Sequence, residues 1–328
     1  MKTLMIRFLL CSFAAISFLT ANLSASEIFE GKATKVLPKG AGEGPAWHPK
    51  LGLLFSGGGR INRLGLDGKL HEYRKPIHSN GNLFDYEGRL ITCNPGQRRV
   101  IRTELDGTVK VLTDRYNGQP YNQPNDLTID AKGRIYFSDP KYGPRENLDQ
   151  KDEDGKVVEG VYRIDPDGKV TRVITHEADR PNGVLVSKDQ KFLYVADNNN
   201  NTNGGSRKLF RFKLKKNGDV NPKSRKILYD WKNGRGPDGL VQDVEGRLYV
   251  AGGLNGKHPP FEDDSQTAGI YVFSAEGKLL EVVHIPNDEV TNCTFGGADL
   301  KTLYITAGGT LWSIRTKATG WLPWPKLD

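Results

Sequence analysis

The chain repeats one unit along its length. "GNLFDYEGRLITC", "NDLTIDAKGRIYFSD", "NGVLVSKDQKFLYVAD", "DGLVQDVEGRLYVAG" and "CTFGGADLKTLYITAG" share an apolar start, a polar or Gly-containing turn and a β-rich return. "EGPAWHPKLGLLFSG" near the start is a sixth copy. Each reads as a hairpin of two short strands rich in Val, Ile, Leu, Tyr and Phe. In five copies a second hairpin follows, as in "INRLGLDGKLHEY" or "GVYRIDPDGKVTRVI", turning at Asp-Gly, Asn-Gly or Glu-Gly. Such pairs supply the positive φ of a tight hairpin. The last copy has only "TLWSIR" as its third strand, and "GKATKVLP" ahead of the first copy can supply the fourth. That closes a ring and removes an exposed sheet edge. Six units of four antiparallel strands, a to d, predict an all-β fold, a six-bladed β-propeller. Strand a is innermost. The d–a and b–c loops share one face of the disk, and the a–b turns lie on the other.

The first residues, "MKTLMIRFLLCSFAAISFLTANLSASE", place Lys2 and Arg7 before an apolar run and small residues at Ser24, Ala25 and Ser26. This is the order of a secretory signal peptide. The expectation is a leader over 1–26, one propeller domain over 27–328, and an exported protein, periplasmic or secreted. The apolar run is short for a membrane span, so no membrane anchor is expected after cleavage. Losing two basic residues lowers the net charge from +8 to +6. The remaining Lys and Arg are scattered, which argues against a nucleic-acid partner. Outside the leader two cysteines remain, Cys93 and Cys293. One disulfide between them is open, but two cysteines do not make a disulfide framework, and buried thiols are the plainer reading.

Aligning the start of strand a across the copies brings Glu43, Asn80, Asn125, Asn182, Asp238 and Asn292 into one register, at spacings of 37, 45, 57, 56 and 54 residues. Every one carries a side-chain oxygen, and all should converge on the central axis. Two carboxylates among amides make an oxygen-only environment suited to Ca²⁺. Zn²⁺ prefers His or Cys. In "QPND", "RPNG" and "GPDG" a proline precedes the candidate ligand and stiffens its approach. A single Pro-Asn-Gly is an ordinary turn; six oxygen side chains at one repeat position are not explained that way. The acidic loop "QKDEDGKVVEGV" lacks the end ligands of an EF-hand and reads as solvated. No nucleophile elbow is present.

At these residues the sequence resembles the regucalcin/gluconolactonase family of six-bladed propellers, in its bacterial gluconolactonase branch. "HSNGNLFDYEGRLITCNPGQRRVIR", "NQPNDLTIDAKGRIYFSDPKYG", "RPNGVLVSKDQKFLYVAD", "GPDGLVQDVEGRLYVAG" and "TNCTFGGADLKTLYITAGG" match it in order and register. The resemblance implies a divalent metal in the tunnel, calcium first, with Zn²⁺, Mn²⁺ or Mg²⁺ as alternatives. It implies Glu43, Asn125, Asn182 and Asp238 as ligands and hydrolysis of sugar lactones as the activity. Asn80 and Asn292 then become neighbours or substrate contacts. Animal members carry Arg two residues before the Asn matching Asn125, where this chain has Gln123, so that contact does not carry over.

The reaction expected is metal-assisted opening of a cyclic ester, with Asp238 as general base. The partner is a small-molecule lactone, contacted from the b–c loops and ring by Asn80, Gln123, Asp139, Tyr142, Arg145, Asn198, His258 and Asn292. Two other readings share the ring: a phosphotriesterase or arylesterase of the related calcium propellers, and a non-catalytic interaction module with a structural ion.

Overall fold

The computed structural model describes residues 26–75 and 77–324. Residues 1–25, and with them nearly all of the expected leader, lie outside the described residues.

Blade 1 takes its strands a to d from Glu43–His48, Gly52–Gly57, Arg60–Leu64 and Leu70–Arg74. Blade 2 uses Asn82–Phe84, Leu90–Asn94, Arg99–Thr103 and Val109–Thr113. Blade 3 uses Leu127–Ile129, Ile135–Asp139, Gly160–Ile164 and Val170–Ile174. Blade 4 uses Pro181–Val186, Phe192–Asn198, Arg207–Leu214 and Val220–Asp230. Blade 5 uses Leu240–Asp243, Leu248–Gly252, Gly269–Phe273 and Leu279–His284. Blade 6 has Val290–Gly296, Thr302–Ala307 and Thr310–Thr316, and its outer strand is Phe29–Leu37, antiparallel to Thr310–Thr316. The ring therefore closes through the N-terminal strand, as the incomplete sixth copy predicts. Helix among the described residues is one 3₁₀ turn, Pro95–Gln97.

Burial follows the radial position of each strand. The b strands of blades 2, 3 and 5 are buried at every residue, because both of their faces pack against neighbouring blades. Their sequences are near-continuous apolar runs, where a half-solvated strand would alternate. Between blades 2 and 3, Ile91, Cys93, Val100, Tyr121, Phe137 and Tyr162 form one such inter-blade core. Cys93 and Cys293 are both buried free thiols.

Three a–b turns share a brace visible in the repeats "DYEGR", "DAKGR" and "DVEGR". The Asp243 carboxylate accepts the N–H groups of Glu245 and Arg247 through Oδ1, and the Arg247 Nε and Tyr249 hydroxyl through Oδ2. Asp85 does the same for Glu87 and Arg89, and Asp130 for Lys132 and Arg134. Buried at 0% exposure, Asp243 is satisfied by these four donors.

Two small elements have no counterpart in the repeat reading. Arg115–Tyr116 pairs with Gln119–Pro120 as a short hairpin before blade 3. Gly320–Trp321 adds a fifth strand to blade 5 on its inner edge, beside Gln242 and Asp243. The chain thereby crosses the a–b turn face beneath the tunnel. Trp324 then packs against His48 and Phe84, with ring centroids 4.5 and 5.7 Å away. Two-residue strands carry no periodicity, so sequence pattern cannot announce them.

His48 shows how this face is held. Its Nδ1 accepts the N–H groups of Lys50 at 3.0 Å and Leu51 at 3.1 Å, which requires the neutral ring. Burial, with a smaller push from Lys50, lowers its pKa from 6.5 to about 4. The unfolded chain takes up the proton near pH 6.5 and the folded chain only near 4. Stability should therefore be lost as pH falls through that window. The ring is partly exposed, so solvent screening limits the effect to ~1 kcal/mol. Asparagine at 48 can keep an acceptor for the turn but cannot charge. In urea denaturation, His48→Asn should narrow its stability gap to the wild type between pH 7 and pH 4.5; parallel curves would refute the assignment.

Candidate active site

The six ring residues sit where the repeat register puts them, at or just before the start of strand a. Neighbouring inner strands touch backbone to backbone in the layer that follows. Gly81 N donates to Asn125 O at 2.8 Å, and Gly239 N donates to Thr291 O at 2.8 Å. That layer is Gly44, Gly81, Asp126, Gly183, Gly239 and Cys293. A methyl group on Gly44 would overlap the Asn80 carbonyl, one on Gly183 the Asp238 carbonyl, and one on Gly239 the Asn292 carboxamide. The missing side chains let the blades close up until the preceding residues face one another across the axis.

The ring oxygens divide into two groups. Oδ1 of Asn80, Asn125, Asn182 and Asp238 is buried and has no protein partner. Each such atom costs about 1–3 kcal/mol if left unmet, so four in one ring is a concentrated demand for a ligand. Glu43 joins them: its Oε2 accepts the Gly44 N–H at 2.6 Å and the Asn292 Nδ2 at 3.0 Å. Asn292 differs. Its Oδ1 already accepts the Cys293 N–H at 2.8 Å, while its Nδ2 orients Glu43, so it is the ring amide whose oxygen is already engaged within the protein.

Without a cation these carboxylates resist ionisation. Burial, opposed by hydrogen bonds, pushes Glu43 up to about 7. Asp238 is raised well above its usual range by burial and by the Glu43 charge. Asp126 is pushed up to about 8, again by burial first and Glu43 second. It is buried and lines a chamber of about 50 Å³ between the ring and the C-terminal residues Trp321, Leu322 and Pro323. Among the described residues no three His, Cys, Asp or Glu side chains form a conventional metal cluster. The ring has two carboxylates, and amide oxygens make up the rest. Its donor chemistry is that of a hard cation held by oxygen, which fits calcium.

The loop residues fare unevenly. Asp139, expected as a substrate contact, is instead a brace. It is fully buried, and its oxygens accept the Asn122 N–H at 2.8 Å and the Gln123 N–H at 2.7 Å, clamping the loop that delivers Asn125. Asp197 holds the Arg180 N–H at 2.6 Å in the same way before Asn182. Arg145 is an exposed cation locked to Glu159 and to the Lys141 carbonyl. Gln123 Oε1 accepts the Tyr142 N–H at 2.8 Å, and the Tyr142 hydroxyl reaches Asn198 O at 3.2 Å. These two draw the long blade 3 loop over toward blade 4. The carboxamide of Asn198 is fully buried with neither polar atom paired. His258 is half exposed, with Nδ1 3.5 Å from Glu289 Oε1.

Three residues were missed. Arg180 stands two residues before Asn182, the place Gln123 takes before Asn125. It lies 5.7 Å from the Tyr142 ring centroid and 3.2 Å from Glu159. Buried Arg235 pairs with the partly exposed Glu289 next to Asp238. "RPNG" and "GRGPDG" carry the signal for both arginines, since each precedes a ring position in the same loop. A cavity of about 810 Å³ lies on the turn face around Arg89, Ile129, Gln190 and Trp321, away from the ring. Size alone therefore does not locate the chemistry.

A closed propeller with unpaired oxygens gathered on its axis defines the class of protein. The chain belongs to the SMP-30/Gluconolactonase/LRE-like family, whose profile matches residues 41–309. It is 31% identical over 258 residues to a gluconolactonase of Zymomonas mobilis, a match covering 76% of this chain and 66% of that relative's length. A solved gluconolactonase from Xanthomonas campestris superposes with a TM-score of 0.70 at 29% identity, covering 87% of this chain and 89% of the other. A calcium-binding regucalcin from Agrobacterium tumefaciens shares the fold, with a TM-score of 0.69 at 17% identity over 90% and 96% of the two chains.

The Gly239 contact can be tested directly. Gly239→Ala should drive Asn292 away from Glu43 while leaving the circular dichroism spectrum unchanged. Calcium affinity, measured by titration calorimetry, should fall roughly tenfold, the scale of a lost outer-shell support. Unchanged affinity would show that Asn292 does not hold Glu43 in place.

Proposed function

We propose that the protein is a metal-dependent lactonase that opens a sugar lactone to its aldonic acid. The observation that carries this reading is the set of four unpaired Oδ1 atoms beside Glu43, with Asp238 among them. Membership of a family with lactonase relatives supports it. Glu43, Asn125, Asn182 and Asp238 would hold the cation, with the Asn80 oxygen beside them. Calcium suits these donors, and Zn²⁺, Mn²⁺ or Mg²⁺ are the alternatives to test. Bound there, a divalent cation supplies Lewis acidity and charge stabilisation at the carbonyl oxygen.

The chain's own residues do the rest. The Asp238 carboxylate takes a proton from the attacking water. The water oxygen bonds to the carbonyl carbon, the ring C–O bond breaks, and the proton passes to the departing ring oxygen. Tyr142 and His258 on b–c loops, and Asn198 at the end of strand b of blade 4, lie on the same face and would offer polar groups to substrate hydroxyls. The C-terminal strand closes the other end of the tunnel, so substrate enters from the loop face. Export, read from residues 1–26, remains part of the proposal; fractionation of the producing cell tests it.

Purified protein should hydrolyse glucono-δ-lactone or another aldonolactone in a pH-indicator assay. Chelator should abolish turnover and calcium should restore it. Asp238→Asn keeps a side-chain oxygen but loses the base, so kcat should fall roughly 10²–10⁴-fold while much of the calcium binding survives. Full activity in that variant rejects Asp238 as base. Turnover of aryl esters or phosphotriesters with none of lactones would replace the substrate class.

A further inference from the structure

Arg235 is a buried cation of the site, 6% exposed and three residues before Asp238. Three segments share its guanidinium. Nη1 donates to Glu289 Oε1 at 2.7 Å, in the loop leading into blade 6. The same nitrogen lies 3.4 Å from Glu262 Oε2, in the b–c loop of blade 5. Nη2 stands 3.9 Å from Asp238 Oδ2. That leaves Asp238 Oδ1 as the oxygen without a protein partner. His258 approaches Glu289 from the solvent side at 3.5 Å, and Glu289 is about one-third exposed.

The charge balance is uneven. One guanidinium meets three carboxylates, and Glu43 adds a fourth negative group close to Asp238. A buried ion of this kind costs several kcal/mol in desolvation and is retained only with good partners. Its planar fork fixes direction as well as charge, which an ammonium cannot do. Turning Oδ2 of Asp238 toward Arg235 aims Oδ1 at the tunnel.

We propose that Arg235 is the positioning residue of this site: it sets the orientation of Asp238 and holds Glu289 at the pocket mouth, while limiting the negative charge offered to the cation. The kinetic part rests on the lactonase reading, and the binding part does not. The two roles predict opposite effects of removing the guanidinium. Cation affinity rises, because an uncompensated negative charge remains. Turnover falls, because Asp238 is no longer aimed. A residue that merely supports folding would lower both.

The test uses the whole chain with Arg235→Met, Arg235→Lys and the double variant Arg235→Met/Glu262→Gln, which removes the cation together with one carboxylate. Calorimetric titration with calcium chloride, steady-state kinetics on glucono-δ-lactone and thermal unfolding are compared. Arg235→Met should bind calcium at least about threefold more tightly, with kcat reduced roughly tenfold or more and KM within about twofold. Arg235→Lys should restore the wild-type calcium affinity and recover only part of kcat. The double variant should return calcium affinity to the wild-type range and leave kcat low. Weaker calcium binding in Arg235→Met, or wild-type kcat in either variant that carries methionine at 235, overturns the proposal. If Arg235→Met does not fold, Arg235→Gln, which also removes the charge and the fork, is judged by the same affinity and kcat criteria. If the wild type opens no lactone, the functional reading fails, and the calcium titrations still decide whether Arg235 balances the site.

Discussion

The close approach of neighbouring inner strands is the contact on which the rest of the structure depends. Four of the six residues following the ring positions are glycine, and carbonyl or carboxamide groups of the next blade occupy the space their side chains would fill. Inter-blade hydrogen bonds at 2.8 Å form where this happens. The tunnel is narrow at this waist as a direct result. Side chains one residue earlier have nowhere to go except the axis, and their oxygens meet there. The exceptions are informative. Blade 3 places Asp126 in the glycine layer, and the space above Gly81 accommodates its carboxylate.

Convergence creates an electrostatic problem that the fold answers locally. Glu43, Asp126 and Asp238 are buried within each other's fields, and each is driven toward its neutral form. A cation on the axis would reverse that, because it favours the ionised carboxylates that desolvation disfavours. Arg235 supplies part of the compensation from the side. The d–a loops that carry the ligands are not left to their own stiffness either. Asp139 and Asp197 hold their backbone N–H groups from the ends of strand b. In these two loops Pro124 and Pro181 reduce the freedom of the approach, and the carboxylate brace anchors it.

Much of this was legible in the repeats. Register alone favours Asn125 over its charged neighbour Asp126 as the ring residue, because Asp126 aligns with glycines. The missing strand of the sixth copy pointed to Phe29–Leu37, which completes that blade. Asp139 was misread because its place at a loop junction says nothing about where its oxygens point. Asn292 shares the register of the others, yet the Cys293 N–H takes its Oδ1. The repeat pattern describes backbone placement, whereas ligand capacity depends on which lone pairs remain free.

The sequence by itself determined the blade count, the closure of the ring and the radial position of each strand, since these follow from periodicity, turn chemistry and the apolar runs of the inner strands. It also determined that six oxygen-bearing residues share one layer. Only the tertiary structure decided which of them keep an unpaired oxygen, that Arg235 stands beside Asp238, and that Gly320–Trp321 joins blade 5 with Trp321, Leu322 and Pro323 lining the chamber beneath the ring. Those outcomes depend on contacts between segments far apart in the chain, where distance and direction of single atoms matter and no repeat period carries them.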